Sequence, residues 1–255
     1  MKEKIAKLIG QFFLLPLNLI KRRFFLNMAY RRVLEMVVED NEAYSLGTSL
    51  NERSSKPKFY RPADAFEKRF EQVRNAIEEV NAHSLLDIGC AEGYMISRAA
   101  KELDVFAIGL EVDRQRIRAG NAQSELDRDL NYGIIPASVD AQYLNKLPKF
   151  DVVVCFSVLH HVIRHHGKIE AIEFLKAIRR ITRHRFLFDM GSPEETANDP
   201  EWGEVLAFMK GDLVAKNKEL LEEAGFTDIQ YVGDTPGYVQ SANRPLFICN
   251  PQTIK

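Results

Sequence analysis

Along the chain, apolar positions alternate between two periods. Phe66, Phe70, Val73, Ile77 and Val80 recur at helical spacing, so the pattern predicts an amphipathic helix over 64–81. Asp64 with Glu67 three residues later reads as a capping box at its start. From 84 onward short apolar runs alternate with amphipathic stretches. Strands are expected at 84–88, 104–110, 131–135, 150–156, 184–189, 226–232 and 244–250. Helices are expected at 93–103, 113–126, 167–182 and 212–224, the last stopped by Gly225. Asp234-Thr235-Pro236-Gly237 turns the chain between the last two strands, so these form a hairpin. The result is an α/β chain with a Rossmann-like, seven-stranded, mostly parallel sheet and one antiparallel strand.

The first 63 residues break this rhythm. Residues 1–32 carry eight Lys and Arg against Glu3 alone, a local charge of +7, around the uncharged run 8–20. Thirteen residues are too few to span a bilayer, which needs about 20. The segment reads as a helical extension, either lying on an anionic membrane surface or packing on the domain or a second subunit. Residues 33–63 are polar and rich in turn formers, a connector or lid that includes Tyr60. The remaining domain is 64–255.

Composition narrows the class. With a net charge of −1 the chain has no global basic field, which makes nucleic acid the less expected partner. Cys90, Cys155 and Cys249 all lie in or beside apolar runs, as buried thiols of a reducing, cytoplasmic compartment do. No Cys/His spacing suits structural zinc, and no metal is expected.

The chemistry is concentrated at strand ends. Leu85-Leu86-Asp87-Ile88-Gly89-Cys90-Ala91-Glu92-Gly93-Tyr94 is a buried strand, a small-residue turn and a helix start. Such a turn lets a ligand approach the backbone and presents unpaired N–H groups to it. It is neither a dinucleotide fingerprint nor a P-loop. Its D-x-G-x-x-x-G form resembles the first motif of the class I S-adenosylmethionine (SAM)-dependent methyltransferases, and the likeness covers roughly 64–250. That resemblance implies a SAM site. Asp87 faces the methionine end, and Gly89, Cys90, Ala91 and Gly93 form the loop. Glu111, two residues after Gly109, accepts from the ribose diol. Asp140 meets the adenine amino group, with Ala141 on the adenine face. Val112 and Ser157 complete the cofactor set. Asp113 reads instead as a helix cap.

The fourth strand leads into Ser157-Val158-Leu159-His160-His161-Val162-Ile163-Arg164-His165-His166-Gly167, which holds four of the six histidines. A histidine can remove a hydroxyl proton as a methyl arrives, so His160 and His161 are the catalytic candidates, His160 first. Arg164, Arg244, His165 and Tyr60 are the acceptor-binding candidates, since a guanidinium matches phosphate or anionic sugar oxygens. This run and Arg244-Pro245-Leu246-Phe247-Ile248 resemble the methyltransferase part of O-antigen chain-terminating enzymes. The second run also resembles the RNA 5′-phosphate methyl-capping enzymes. Both groups methylate a terminal phosphate. The acceptor implied is a glycan, or a phosphorylated small-molecule or lipid-linked sugar. An RNA methyltransferase, a lipid or quinone methyltransferase, and a non-catalytic SAM-fold binding subunit are the competing readings. Residues 190–211, with Trp202, Phe208 and Met209, are expected to cover the substrate.

Overall fold

A computed structural model describes residues 63–126, 131–196, 204–237 and 242–251. The expected membrane-surface helix, the connector with Tyr60, and Trp202 lie outside the described residues. In chain order the elements are α1 (Ala63–Glu79), β1 (Ser84–Ile88), α2 (Tyr94–Leu103), β2 (Phe106–Glu111), α3 (Arg114–Leu126), β3 (Tyr132–Pro136), α4 (Ala141–Leu144), β4 (Phe150–Phe156), α5 (Leu159–Ile181), β5 (Thr182–Asp189), α6 (Leu213–Glu223), β6 (Thr227–Pro236) and β7 (Asn243–Asn250). Two short 3₁₀ turns, Pro193–Thr196 and Ala207–Met209, lie between β5 and α6.

The seven strands order as β3-β2-β1-β4-β5-β7-β6. All neighbours are parallel except β7, which runs antiparallel to both β5 and β6. The strand order reverses between β1 and β4. In open α/β sheets that reversal leaves a crevice at the carboxyl ends, where ligands bind.

Side chains divide between the two faces by the pleat. Val152 and Val154 pack with α1 and α2, whereas Val153 and Cys155 pack with α5 and α6. Phe150 joins the second group although its number is even, because the pairing of β4 with β5 slips between Phe150 and Val152. All seven residues of β4 are buried, as expected of a central parallel strand. At the opposite end of the strands Asp151 accepts from the N–H groups of His83 and Ser84 and from Ser84 Oγ, and pairs with Arg183. That clamp sets the starts of β1, β4 and β5 level, so their far ends arrive together at the crevice.

Three expectations change here. Asp234, Thr235 and Pro236, expected to turn the chain, continue β6 and pair with Pro245, Arg244 and Asn243 of β7, so the hairpin stands but its turn comes later. The helix expected at 167–182 begins at Leu159 and is broken at Gly167 (φ 85°). The histidine run is therefore helical, not loop. Glu67 does not close a capping box. It accepts from Tyr94 Oη at 2.6 Å and from Arg98 at 2.7 Å, which ties α1 to α2.

Candidate active site

The loop after β1 is held in one shape by its own backbone. Gly89 takes φ +77°, and a Cβ there would lie 2.3 Å from Val158 Cγ2. Only glycine satisfies both the left-handed conformation and that contact. The N–H groups of Gly89 and Cys90 both reach Leu110 O, at 2.8 and 3.1 Å, so the loop is tied to the end of β2. Cys90 turns its thiol down against Gly109, where an added Cβ would meet Sγ at 2.3 Å. Burial pushes that thiol far up, and it serves as packing. Gly93 (φ 88°) precedes α2 and donates to Cys90 O at 2.9 Å.

Glu111 ends β2 and is 9% exposed. Its Oε1 accepts from Val112 N at 2.7 Å and Asp113 N at 2.8 Å, and its Oε2 accepts from Ala91 N at 2.9 Å. One carboxylate thus joins the β2 turn to the β1 loop. A carboxylate has about four lone-pair sites, so roughly one remains, on Oε2, for a ligand hydroxyl. Val112 beside it is 67% exposed, open to a flat ligand face. Asp113 caps α3 through Gln115 N and Arg116 N, as expected. Asp140 caps α4 through Oδ1, which accepts from Tyr143 N at 2.6 Å. It is nonetheless exposed at the mouth, with half-buried Ala141 next to it.

Asp87, 4% exposed, lies beneath this loop. Burial first, then the nearby Glu111 charge, push its carboxyl up to about 7 against the opposing pull of Arg69. A buried acid of this kind becomes a good partner for a cation that enters the crevice.

Across the crevice, Ser157 (φ 64°) follows β4 and belongs to a buried ionic group. Its N–H donates to Asp189 Oδ1 at 3.0 Å and its hydroxyl donates to the same atom at 3.2 Å. Arg69 from α1 pairs with Asp189. Arg244, 1% exposed, donates to Ser157 Oγ and forks onto both oxygens of Glu195. Sequence reasoning placed Arg244 at the acceptor, but it missed Arg69 and Glu195. Arg69 left a signal: it falls on the apolar stripe of α1, between Phe66 and Phe70, where a charge must have a buried partner. Glu195, in a turn, left none.

The histidines separate sharply. His160 is 6% exposed, and its Nδ1 accepts from Gly191 N at 3.0 Å. A nitrogen that accepts from a backbone N–H carries no proton, so the ring's proton sits on Nε2 and its only lone pair is already engaged. His160 is therefore a poor base, and the preference for it over His161 is reversed on these grounds. His161 is exposed, its ring 4.3 Å from that of His160. Partial desolvation, then the neighbouring His165, Arg244 and Arg164, hold its imidazole below the ordinary histidine value, with Glu111 pulling the other way. Glu111 and Arg244 are thus both within electrostatic reach of His161. His165 and His166 are exposed on the same arm and Arg164 is half-buried. Leu206 and Met209, in the expected cover, are buried in the core.

The fold has counterparts among known proteins. Residues 86–185 match the model of a family described as a methyltransferase domain. Over 95 residues the chain is 35% identical to the ribosomal protein L11 methyltransferase of Neisseria meningitidis, covering 36% of this chain. Over 93 residues it is 29% identical to the tRNA U34 carboxymethyltransferase of Pseudoalteromonas translucida, covering 36% of this chain. The chain spans 28% of the length of each of these relatives. Among solved structures it resembles the bifunctional kinase–methyltransferase WbdD with a TM-score of 0.63 and 19% identity, over 76% of this chain and 40% of that one. It also resembles magnesium protoporphyrin IX methyltransferase from Synechocystis PCC 6803, solved with bound S-adenosylhomocysteine (SAH). There the TM-score is 0.53 and the identity 14%, over 73% of this chain and 84% of that one. The fold is that of the class I methyltransferases.

Proposed function

We propose that this chain, a methyltransferase domain of the class I fold, uses SAM to methylate an oxygen of a phosphorylated or otherwise anionic sugar. The observation that carries the cofactor half is the Glu111 bridge. An acid at the end of β2 holds the Asp87–Gly93 loop through Ala91 and keeps about one acceptor position for a hydroxyl. The residues present fit SAM. Glu111 suits a ribose hydroxyl, exposed Val112 suits the adenine face, and buried Asp87 suits a cationic end. When bound, SAM supplies an electrophilic methyl group on a sulfonium.

What the chain does is position and dehydrate. Gly89 and Gly93 bring the backbone close to the ligand, and Asp87 balances positive charge inside the fold. His161, neutral at physiological pH and exposed at the mouth, accepts the proton when the acceptor is a hydroxyl. A phosphate oxygen is already anionic and needs no base. Arg164 and Arg244 supply positive charge on the acceptor side, and His165 adds ring nitrogens for hydrogen bonding. Holding acceptor oxygen and methyl in line accounts for most of the rate in such a displacement.

Calorimetry with SAH tests the cofactor half, and the absence of binding to the folded full chain would sink it. A panel of acceptors tests the other half: phosphorylated sugars, unphosphorylated glycans and tRNA, each with labelled SAM. Label on tRNA alone would replace the sugar reading. The +7 segment 1–32 supports placement on an anionic membrane surface. Removing residues 1–25 should then shift the protein from the membrane to the soluble fraction, and an unchanged distribution refutes it.

A further inference from the structure

We infer that the fork of Arg244 onto Glu195 is the acceptor's anion subsite, filled in this structure by the chain's own carboxylate and vacated when a phosphate monoester binds. The inference rests on the methyltransferase reading and names the chemical class its acceptor presents.

Among the described residues the buried group pairs two guanidiniums, Arg69 and Arg244, with two carboxylates, Asp189 and Glu195. Asp189 is the permanent member. It is fully buried at the end of β5 and bonded to Ser157 through both backbone and hydroxyl. Glu195 is the removable one. It sits on a single 3₁₀ turn, Pro193–Thr196, whose bond in the same segment is Glu195 N to Ser192 O at 3.2 Å. Removing Glu195 makes the group more positive by one charge and frees the Arg244 fork.

That deficit has the shape of an anion site. Arg244 presents Nε and Nη2 together to the two Glu195 oxygens, the same planar fork that holds phosphate. The buried group and the turn beside it also hold donors that Glu195 leaves unmet. Arg69 Nε and Ser192 Oγ are buried and have no hydrogen-bond partner among the described residues. A buried donor without a partner is costly. A phosphate monoester brings three terminal oxygens where a carboxylate brings two, so it answers this donor set more fully. The location is also right. Ser157 touches Arg244 and directly follows β4, while His161 lies within electrostatic reach of Arg244.

Glu195 therefore offsets the Arg244 charge and competes with weakly held anions. Glu195→Gln removes the competitor's charge while keeping its volume. Inorganic phosphate, titrated into the full-length chain and followed by calorimetry and by phosphate-dependent thermal stabilisation, should bind this variant about tenfold or more tighter than the wild type. Arg244→Gln should lose phosphate binding in either background. If Glu195→Gln folds and its phosphate affinity matches the wild type, the subsite assignment is wrong. If the variant does not fold, the wild type decides. Phosphate should then shift the Arg244 Nε–H resonance in an NMR titration, and an unmoved resonance at saturating phosphate overturns the inference. SAH binding is read separately. SAH binding without phosphate binding refutes only this inference, whereas phosphate binding without SAH binding refutes only the cofactor reading.

Discussion

Exchanging Glu111 for Gln changes one atom and strips the crevice of its central acceptor. In the wild type, Oε1 takes two backbone N–H groups and Oε2 takes Ala91 N. A glutamine can keep its oxygen on the Val112 and Asp113 pair. Its NH₂ then faces Ala91 N–H, donor against donor. An unmet buried donor costs about 1–3 kcal/mol. The free loop escapes that cost by moving off Glu111's position, and ligand binding must pull it back. The bond to a ribose hydroxyl also changes from charge-assisted to neutral or is lost, about 1 kcal/mol more. The sum, roughly 2–4 kcal/mol, weakens SAH binding on the order of 30- to 700-fold. Titration calorimetry with SAH measures it directly, with a thermal melt to confirm the fold. A folded variant that binds SAH within about threefold of wild type would refute the bridge as the source of affinity.

Other outcomes follow from neighbouring residues. His161→Ala should lower turnover on a hydroxyl acceptor by about 10²-fold or more, with SAH affinity unchanged. His160→Ala should instead lower the melting temperature, since Gly191 N–H loses its acceptor at about 1–3 kcal/mol. The opposite pattern would restore His160 as the base. Asp87 has its folded pKa raised from 3.8 to about 7, so the stability it contributes is complete below about pH 4 and is lost as pH rises through 7. Cationic SAM should therefore bind more tightly as pH rises through 7 and release protons near pH 6.5, seen as a buffer-dependent binding enthalpy. A buffer-independent enthalpy refutes this. Asp151 runs the other way. Burial raises it, but the His83 N–H, Arg183 and Ser84 together hold it at about 2, so its contribution is present above about pH 4 and is lost as pH falls towards 2. Asp151→Asn should flatten the acid limb of an equilibrium unfolding series. Gly89→Ala should destabilise by about 1–3 kcal/mol through its φ and the Val158 contact, and Val158→Ala should recover only the second part.

The fold was legible because its signals are local. The seven apolar runs, Gly89 and the Asp113 cap each depend on neighbours in sequence, whereas Asp234, Thr235 and Pro236 look like turn formers and are held in β6 by pairing with β7. Strand pairing then left little freedom. The cofactor side was legible for the same reason, since Asp87 to Gly93 is one continuous loop and Glu111 ends the next strand. The buried ionic group across the crevice was not, because its partners come from distant elements. Arg69, Ser157, Asp189, Glu195 and Arg244 meet across α1, β4, β5, a 3₁₀ turn and β7. The sequence marks Arg244 as a candidate for the acceptor, and only the fold brings Glu195 against it. His160 and His161 are equivalent in sequence, and only the Gly191 N–H tells them apart. The capping-box reading at Asp64 and Glu67 failed through competition. Glu67 found a tyrosine hydroxyl and a guanidinium on α2, both stronger partners than a helix-end N–H.

The break at Gly167 divides α5 into two parts with separate obligations. The stem after it plants Ala171, Ile172, Phe174, Leu175, Ala177, Ile178 and Ile181 in the core, and these cannot change singly without a cavity. The arm before it is moored by Leu159, His160 and Ile163, while His161, His165 and His166 face outward. His165 and His166 on the arm can thus change without opening a cavity while the packing behind them stays fixed. A chain built this way can alter what the arm presents at the crevice by rewriting a few surface letters. The same positions are where a laboratory library aimed at new acceptors would meet the least resistance from the fold.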